Sequence, residues 1–437
     1  MWERLARLEL SPDPGALNRE VDSAIEQAVL YAHAHSPFYQ RLFRDAGLVP
    51  QDIRSVASLG RVPCTTKDDL AAGLPSFCCV PHEAIVDVCT TSGTTGAPTL
   101  YPLTARDAQR LALNEYLSFH CAGLTEKDSV FLAVTLDRCF MAGLAYYEGV
   151  RAMGATAVRI GPSSPAMLLS WMEQLKPTAI VAVPSFLKRA ARYAEEHRLP
   201  PPASSVAKLI CIGEPLRERD LSLNPLGRQV QSAWNARLHS SYGITELAIS
   251  FCECEAGCGN HLHPGLVHVE ILDDNGRPVP DGEEGEIVAT TFGVEAMPLL
   301  RYRTGDRSFL VRERCACGRW TPRLGLILGR KKQAMKLKGT TVYPAAVQRV
   351  LDGLDAVQSY VMIVTSPTPL SDELDVVVAL EPHDGATLTR VRDRLQAEIK
   401  VSPSVRSASL EEIERLQMPD GARKRQVFID ERPGRRA

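Results

Sequence analysis

A chain of 437 residues suits one large domain with a smaller companion, and 50 Lys and Arg against 52 Asp and Glu leave a formal net charge of −2. That balance gives no reason to expect nucleic acid or an anionic membrane surface as a partner. No apolar run approaches the roughly 18–20 residues of a membrane span, and Met1-Trp2-Glu3-Arg4 lacks the apolar core of a signal peptide, so a cytoplasmic protein is expected. The twelve cysteines read as thiols, and the close spacings of Cys252, Cys254 and Cys258 and of Cys315 and Cys317 point to metal.

In chain order, Arg19–His35 has Val21, Ile25 and Val29 near helical spacing, Pro37 breaks it, and residues 1–80 read as packing scaffold. The mostly apolar run Ile85–Cys89 then leads into Thr90–Thr99, Thr-Thr-Ser-Gly-Thr-Thr-Gly-Ala-Pro-Thr. Gly93 and Gly96 let successive N–H groups turn into one concavity, while Ser92, Thr94 and Thr95 add hydroxyls, which is chemistry suited to phosphate oxygens. The stretch lacks the lysine of a Walker loop. Thr104, three residues before Asp107, caps the helix that follows. The apolar runs Val130–Val134, Ala155–Ile160, Ala179–Val183 and Leu209–Ile212 alternate with helix-like stretches, predicting β-α-β units and a parallel sheet. After Glu246 the pattern turns β-rich, with Val267–Leu272 and Glu286–Thr291 flanking a turn that contains Asn275-Gly276. Gly329-Arg330 opens a last region with a helix at Ala345–Leu351 and strands at Tyr360–Val364 and Leu374–Leu380, and Arg432–Ala437 reads as a frayed tail.

Four motifs in order carry a resemblance. Ser92–Gly96 with Ala-Pro-Thr resembles the phosphate loop of the adenylate-forming enzymes, the acyl-CoA synthetases and their relatives. Tyr242-Gly243-Ile244-Thr245-Glu246 is similar to their adenine and magnesium motif, Arg301–Asp306 to their ribose motif, and Gly329-Arg330 to the start of their hinge motif. His35–Tyr39, Thr65–Leu70 and Glu295–Leu299 further resemble the phenylacetate–CoA ligase branch. Pattern and resemblance together imply an α/β protein. Residues 1–329 would be a large N-terminal domain of α/β sheets plus a β-rich part, binding ATP and acid; residues 330–437 would be a small, mobile α+β lid.

By resemblance, Thr91, Ser92, Gly93, Thr94, Thr95 and Gly96 cradle phosphates, and Thr245 and Glu246 approach the α-phosphate and a Mg²⁺. Tyr242, between Ser241 and Gly243, lies against adenine, with Gly213-Glu214-Pro215 on the other side of the base. Asp306 accepts from the ribose hydroxyls, and Arg323 helps hold ribose or phosphate, with Arg319 competing for that role. Lys424, six residues before Asp430, is the catalytic lysine, preferred over Arg423 and Arg425 by that spacing. The hinge falls at Arg330-Lys331, where Lys331-Lys332-Gln333 departs from the commoner Gly-Arg-x-Asp-Asp. The branch also implies a structural Zn²⁺ on Cys254, His261, Cys315 and Cys317, with Cys258 the main rival and Cys252 and His263 left open. Cys64, Cys78, Cys79, Cys89, Cys121, Cys139 and Cys211 read as small buried residues.

Phe140, Met141, Tyr146 and Phe186 are the expected apolar wall for the acid. The implied activity converts an aryl, phenylacetate-like acid, ATP and coenzyme A into acyl-CoA, AMP and pyrophosphate through an acyl-adenylate. Transfer to a carrier-protein thiol or an amine is the alternative, and a non-catalytic nucleotide-binding scaffold the second. Lys424, Glu246 and Asp306 all standing in place argue against the scaffold. Expected partners are therefore the acid, ATP and coenzyme A, with a carrier protein and a homodimer open.

Overall fold

Proline opens the first two long helices, α1 (Pro14–His35) and α2 (Pro37–Asp45), so Pro37 starts a helix as well as ending one. Two extended segments, β1 (Ile85–Thr90) and β2 (Leu100–Thr104), pair antiparallel with Thr90 opposite Leu100. The Thr91 N–H donates to Thr99 O at 3.1 Å and the Thr99 N–H to Thr91 Oγ1 at 3.2 Å, carrying the pairing one residue further. The protein is described here by a computed structural model covering residues 5, 8–11, 13–70, 73–91, 99–200, 205–368, 371–419 and 425–433. Ser92, Gly93, Thr94, Thr95, Gly96 and Lys424 lie outside the described residues.

The hairpin runs into α3 (Ala105–Cys121) through the expected cap. Thr104 Oγ1 accepts from the Asp107 N–H at 3.1 Å while Asp107 Oδ2 accepts from the Thr104 N–H at 3.1 Å. The four apolar runs form β3 (Ser129–Leu132), β4 (Thr156–Val158), β5 (Ala179–Ala182) and β6 (Lys208–Ile212), all paired in parallel. Helices α4 (Met141–Met153), α5 (Pro165–Leu175) and α6 (Pro184–Glu196) alternate with them, as the period of the sequence requires. β7 (Arg237–Ile244) continues parallel to β6, and β8 (Ile249–Glu253) and β9 (Asn260–His261) then return antiparallel.

Asn275-Gly276 lies in the turn between β10 (Val267–Leu272) and β11 (Gly285–Thr291), which pair antiparallel, and β12 (Tyr302–Ser308) adds to β11. β13 (Leu310–Val311) and β14 (Arg323–Leu324) rejoin the first sheet beside β9. The result is a nine-stranded sheet in the order β13-β14-β9-β8-β7-β6-β5-β3-β4. Its core packs Val130, Leu132, Val181 and Ile210 against Phe119, Tyr146 and Val150, each large side chain contributing about 1.5–3 kcal/mol by leaving water.

The N-terminal scaffold is sewn to the segment around residue 300. Thr65 donates its N–H to Arg301 O at 3.1 Å and accepts from the Arg303 N–H at 2.8 Å. Tyr39 Oη accepts from the Leu300 N–H at 2.8 Å, and the Cys79 N–H donates to Ala296 O at 2.9 Å. Arg301 grips Glu270 with two nitrogens at 3.0 Å and also reaches the carbonyls of Gly60 and Val62.

These elements belong to one compact unit that ends at Leu326; a second consists chiefly of the residues from Ile327 on. The second has its own four-stranded sheet, ordered Ser404–Ser407, Ser371–Leu380, Val357–Thr368, Phe428–Asp430. Helices Pro344–Asp352 and Gly385–Ile399 bury Val347, Leu351 and Leu395 against Met362 and Val376. The tail departs from expectation at its first residue. Arg432 is buried because its guanidinium donates to Asp430 and Asp372 and to the carbonyls of Ala334 and Lys332, at 2.6–3.0 Å. Cys139 also departs, standing exposed, while Cys89, Cys121 and Cys211 are buried as expected.

Candidate active site

Parallel strands β3, β5, β6 and β7 end on one edge of the sheet, where α/β folds hold their ligands, and the candidate nucleotide residues follow those ends. After β6, Gly213 turns the chain at φ +76, a conformation open to glycine at little cost. The next residue, Glu214, is spent on the fold: its carboxylate accepts from the Ser185 N–H at 2.8 Å and hydroxyl at 2.7 Å, at the start of α6. Ser241, Tyr242 and Gly243 finish β7, whose last pair with β8 is Ile244 opposite Ile249.

Thr245 and Glu246 occupy the loop of that β7–β8 hairpin. Thr245–Leu247 forms a 3₁₀ turn closed by Ala248 at φ 47, whose N–H donates to Thr245 O at 3.0 Å. Gly305 at φ +78 precedes Asp306, which comes to Tyr242 from 64 residues further on. The Tyr242 hydroxyl donates to Asp306 Oδ2 at 2.7 Å, so the aromatic face expected under adenine and the acceptor expected at ribose adjoin. Asp306 is buried, and its N–H donates to Thr304 Oγ1 at 3.1 Å. The charge of Glu246 acts on Tyr101 of β2: burial chiefly pushes the Tyr101 hydroxyl up, and Asp107 and Glu246 add to it. The magnesium candidate and the hairpin that bears the glycine-rich loop are therefore electrostatic neighbours.

Arg323 does not stand with these groups. β14 pairs with β9, which turns the guanidinium onto the cysteine loop, where Nη1 donates to Cys258 O and Cys258 Sγ at 2.8 Å and Nη2 to Glu313 O at 3.0 Å. Its rival Arg319 is likewise taken, donating to Cys317 Sγ at 3.5 Å. Both arginines are engaged by the cysteine segments.

Cys254, His261, Cys315 and Cys317 bring one donor atom each to within 4.8 Å of one another. Cys254 Sγ and Cys315 Sγ stand 3.6 Å apart, as do Cys317 Sγ and His261 Nε2. A tetrahedral ion with bonds of about 2.3 Å to sulfur and 2.0–2.1 Å to nitrogen holds its ligands about 3.6–3.8 Å apart, so the donor set fits zinc. Thr321 Oγ1 lies 2.6 Å from His261 Nδ1 and thereby aims Nε2 at the thiols. Burial pushes the Cys317 thiol up, but hydrogen bonds from His261 and Arg319 pull harder and bring it down to about 7. Of the open candidates, His263 uses Nδ1 on Glu9 at 2.7 Å and Nε2 on Ser118 at 2.9 Å, and Cys252 packs in the sheet core, while Cys258 Sγ accepts from Arg323 and stands 3.5 Å from Cys315 Sγ, so it keeps its place as the rival ligand.

Of the residues expected to line the acid site, Met141 and Tyr146 are buried, the latter in the core with its ring 6.0 Å from Phe119. Phe140 and Phe186 are partly exposed, and Arg189 lies over the Phe186 ring at 5.7 Å. Sequence reasoning missed the polar face that α3 buries, made of Asp107, Arg110, Asn114, Glu115 and Ser118. Asp107 accepts from the N–H groups of Glu295 and Ala296 at 2.7 and 2.9 Å. Asn114 pairs both ways with the Ser250 backbone at 2.5 and 3.0 Å. Their spacing of three and four residues was a readable signal, but an ordinary amphipathic helix turns such a face to solvent. Also missed was the buried pair Arg217–Glu253, joined at 2.7 Å, whose carboxylate also accepts from the Ser240 N–H at 3.0 Å and so steadies β7.

Residues 33–295 match the family model described as AMP-binding enzyme, and residues 339–432 the model of an AMP-binding enzyme C-terminal domain. The chain is 31% identical over 362 residues to the phenylacetate-coenzyme A ligase of Thermus thermophilus, covering 82% of this chain and 80% of that one. To the phenylacetate-coenzyme A ligase of Escherichia coli it is 26% identical over 395 residues, covering 86% and 87%. The crystal structure of 2-hydroxyisobutyryl-CoA ligase in the postadenylation state with R3-HIB-AMP overlays with a TM-score of 0.85 at 23% identity, covering 97% of this chain and 91% of that one. The chain belongs to the AMP-binding enzyme family. Its activity is that of an AMP-forming acyl-CoA ligase, for which ATP, a carboxylic acid and coenzyme A are the substrates.

Proposed function

We propose that the acid is an aryl carboxylic acid of the phenylacetate type. The observation that carries this reading is the likeness to two phenylacetate-coenzyme A ligases over four fifths or more of the chain. The partly exposed rings of Phe140 and Phe186 are consistent with an aromatic substituent. In the first half-reaction a carboxylate oxygen attacks the α-phosphorus of ATP, the bond to the β-phosphate oxygen breaks, and pyrophosphate leaves. In the second the coenzyme A thiol, losing its proton, attacks the acyl carbon and AMP departs with the electron pair of the C–O bond.

The residues divide this work. Tyr242 offers its ring to adenine, and its hydroxyl keeps Asp306 turned to accept from the ribose. Thr245 and Glu246 stand on the β7–β8 loop toward the α-phosphate, where Glu246 would hold Mg²⁺, which neutralises phosphate oxygens when bound. The β1–β2 loop, closed by Thr91 and Thr99, receives the outer phosphates. Lys424, carried by the chain beyond Leu326 as a lid, supplies a cation to the charge that develops between acid and phosphate. Cys254, His261, Cys315 and Cys317 would hold Zn²⁺, which ties the strand after the β7–β8 hairpin to the turn after β13 and takes no part in the chemistry.

Pyrophosphate release from ATP and Mg²⁺ across phenylacetate, benzoate, hydroxylated aryl acids and 2-hydroxyisobutyrate, each with and without coenzyme A, tests the reading. Preference for an aryl acid, accelerated by coenzyme A and yielding AMP and acyl-CoA, is the expected result. Preference for the short hydroxy acid overturns the aryl assignment, and indifference to coenzyme A favours a carrier-protein thiol or an amine as acceptor.

A further inference from the structure

Arg110 sits on α3, a helix that contributes no residue to the site, and is 6% exposed. Its three guanidinium nitrogens all donate to backbone carbonyls: Nε to Phe292 O at 2.6 Å, Nη1 to Ala248 O at 3.0 Å and Nη2 to Leu266 O at 2.7 Å. No carboxylate hydrogen-bonds to it among the described residues; burial lowers its proton affinity, and the charge of Asp107, one turn back on the helix, offsets part of that cost. A buried cation without a direct ion pair is expensive, and an apolar side chain would fill the same helix contact without that cost. What the planar fork does that an apolar residue cannot is fix three carbonyls from three separate segments at once.

One of those carbonyls has a place in the site. Ala248 closes the Thr245–Leu247 turn in the left-handed region, at φ 47, a conformation that an alanine holds only under constraint. Its N–H is tied back to Thr245 O, and its C=O is tied to Arg110. One turn further along α3, Asn114 clamps Ser250 by both its N–H and its C=O. The Thr245–Ala248 loop is thus held at its C-terminal end from the helix and at its N-terminal end by β7.

We propose that Arg110 is a positioning residue for adenylation: by holding the Ala248 carbonyl it fixes the turn that carries Thr245 and Glu246, and hence where Glu246 presents its carboxylate. The proposal rests on Glu246 having the magnesium role given above. Because α3 starts at the end of β2, the same helix ties the β1–β2 strand pair and the Glu246 turn into one frame.

The test compares Arg110→Lys and Arg110→Gln with Ser118→Ala, which touches β8 through Ser250 but not the turn. Acid-dependent pyrophosphate release is measured at saturating ATP while Mg²⁺ is varied. Displacing the turn by about 1 Å predicts kcat losses on the order of 10²-fold for Arg110→Gln and less for Arg110→Lys, which keeps one donor. Both should need more Mg²⁺ for half-maximal rate, while Ser118→Ala keeps the wild-type kcat and Mg²⁺ dependence at whatever stability it shows. Glu246→Gln is run beside them. A wild-type rate in Glu246→Gln overturns the reading of Glu246 itself. Loss of rate in Glu246→Gln with wild-type kcat and Mg²⁺ dependence in folded Arg110→Gln overturns the role of Arg110. Failure of both Arg110 variants to give a cooperative thermal transition, with Ser118→Ala folded, also overturns it and makes Arg110 a scaffold residue.

Discussion

Replacing Glu115 by glutamine should make the first unit progressively more stable than the natural protein as pH rises. Glu115 lies on the buried face of α3 where the helix meets α4, so close that a Cβ on Gly149 would stand 2.3 Å from the Glu115 Cβ. Its Oε2 has no hydrogen-bond partner, and burial pushes the carboxyl from 4.5 up to about 7, against an opposing hydrogen bond with Ser250. The folded state therefore binds this proton more tightly than the unfolded chain. Below pH 4.5 both states are protonated and nothing is lost; between 4.5 and 7 stability falls, and above 7 the full cost is present. A shift of that size amounts to about 3 kcal/mol. Glutamine keeps the shape and removes the proton, leaving a pH-independent cost for its amide. Trp171, Trp234 and Trp320 all stand in the first unit and the second has no tryptophan, so urea unfolding followed by tryptophan fluorescence reports on the right part of the chain. The gap between variant and natural protein should widen by about 3 kcal/mol from pH 4.5 to 8. A gap that stays flat across that range would refute the buried, unpaired carboxylate.

Tyr242→Phe removes the hydroxyl that holds Asp306 while keeping the ring, and should raise KM for ATP roughly 3- to 10-fold with kcat little changed, about 1 kcal/mol. Steady-state kinetics with ATP varied checks it, and an unchanged KM would detach the pair from nucleotide binding. Glu253→Gln leaves the Arg217 guanidinium without its charge partner and should cost about 3 kcal/mol, read as a lowered urea midpoint. Cys317→Ser takes one thiolate from the donor set and should bring zinc, measured by atomic emission, from about one equivalent to well below it. Zinc retained in full by His261→Ala but lost in Cys258→Ser would move the site to the four cysteines.

The parallel strands were legible because each is a short apolar run buried on both faces and separated from the next by a helix-length stretch. The Thr104 cap and the Asn275-Gly276 turn were legible because their chemistry is local. The hold of Arg323 on the cysteine loop was not legible because its surroundings are set by the pairing of β14 with β9, a contact across some sixty residues that no local pattern records. Arg432 was misread as the start of a frayed tail because one of its carboxylate partners, Asp372, lies sixty residues away. Tyr146 illustrates a third limit, since a helical face toward a ligand and one toward a core have the same period. The zinc quartet could be proposed from spacing and resemblance, but that both nitrogens of His263 have other partners, Glu9 and Ser118, is set by distant parts of the chain.

The stitching of the scaffold to the segment near residue 300 bears on how the protein is made. The Thr65 hydroxyl finds its acceptor, Leu300 O, only 235 residues later, and Tyr31 finds Glu295 O after 264. At ribosomal speeds of about 5–20 residues per second, Thr65 waits roughly 10–50 seconds for that partner to be synthesised. Residues made early are thus locked late, and Tyr39, Phe43 and Phe77, fully buried at the end, spend that interval on an unfinished surface. Nascent chains stalled before residue 290 should engage chaperones, and those stalled well past 330 should release them.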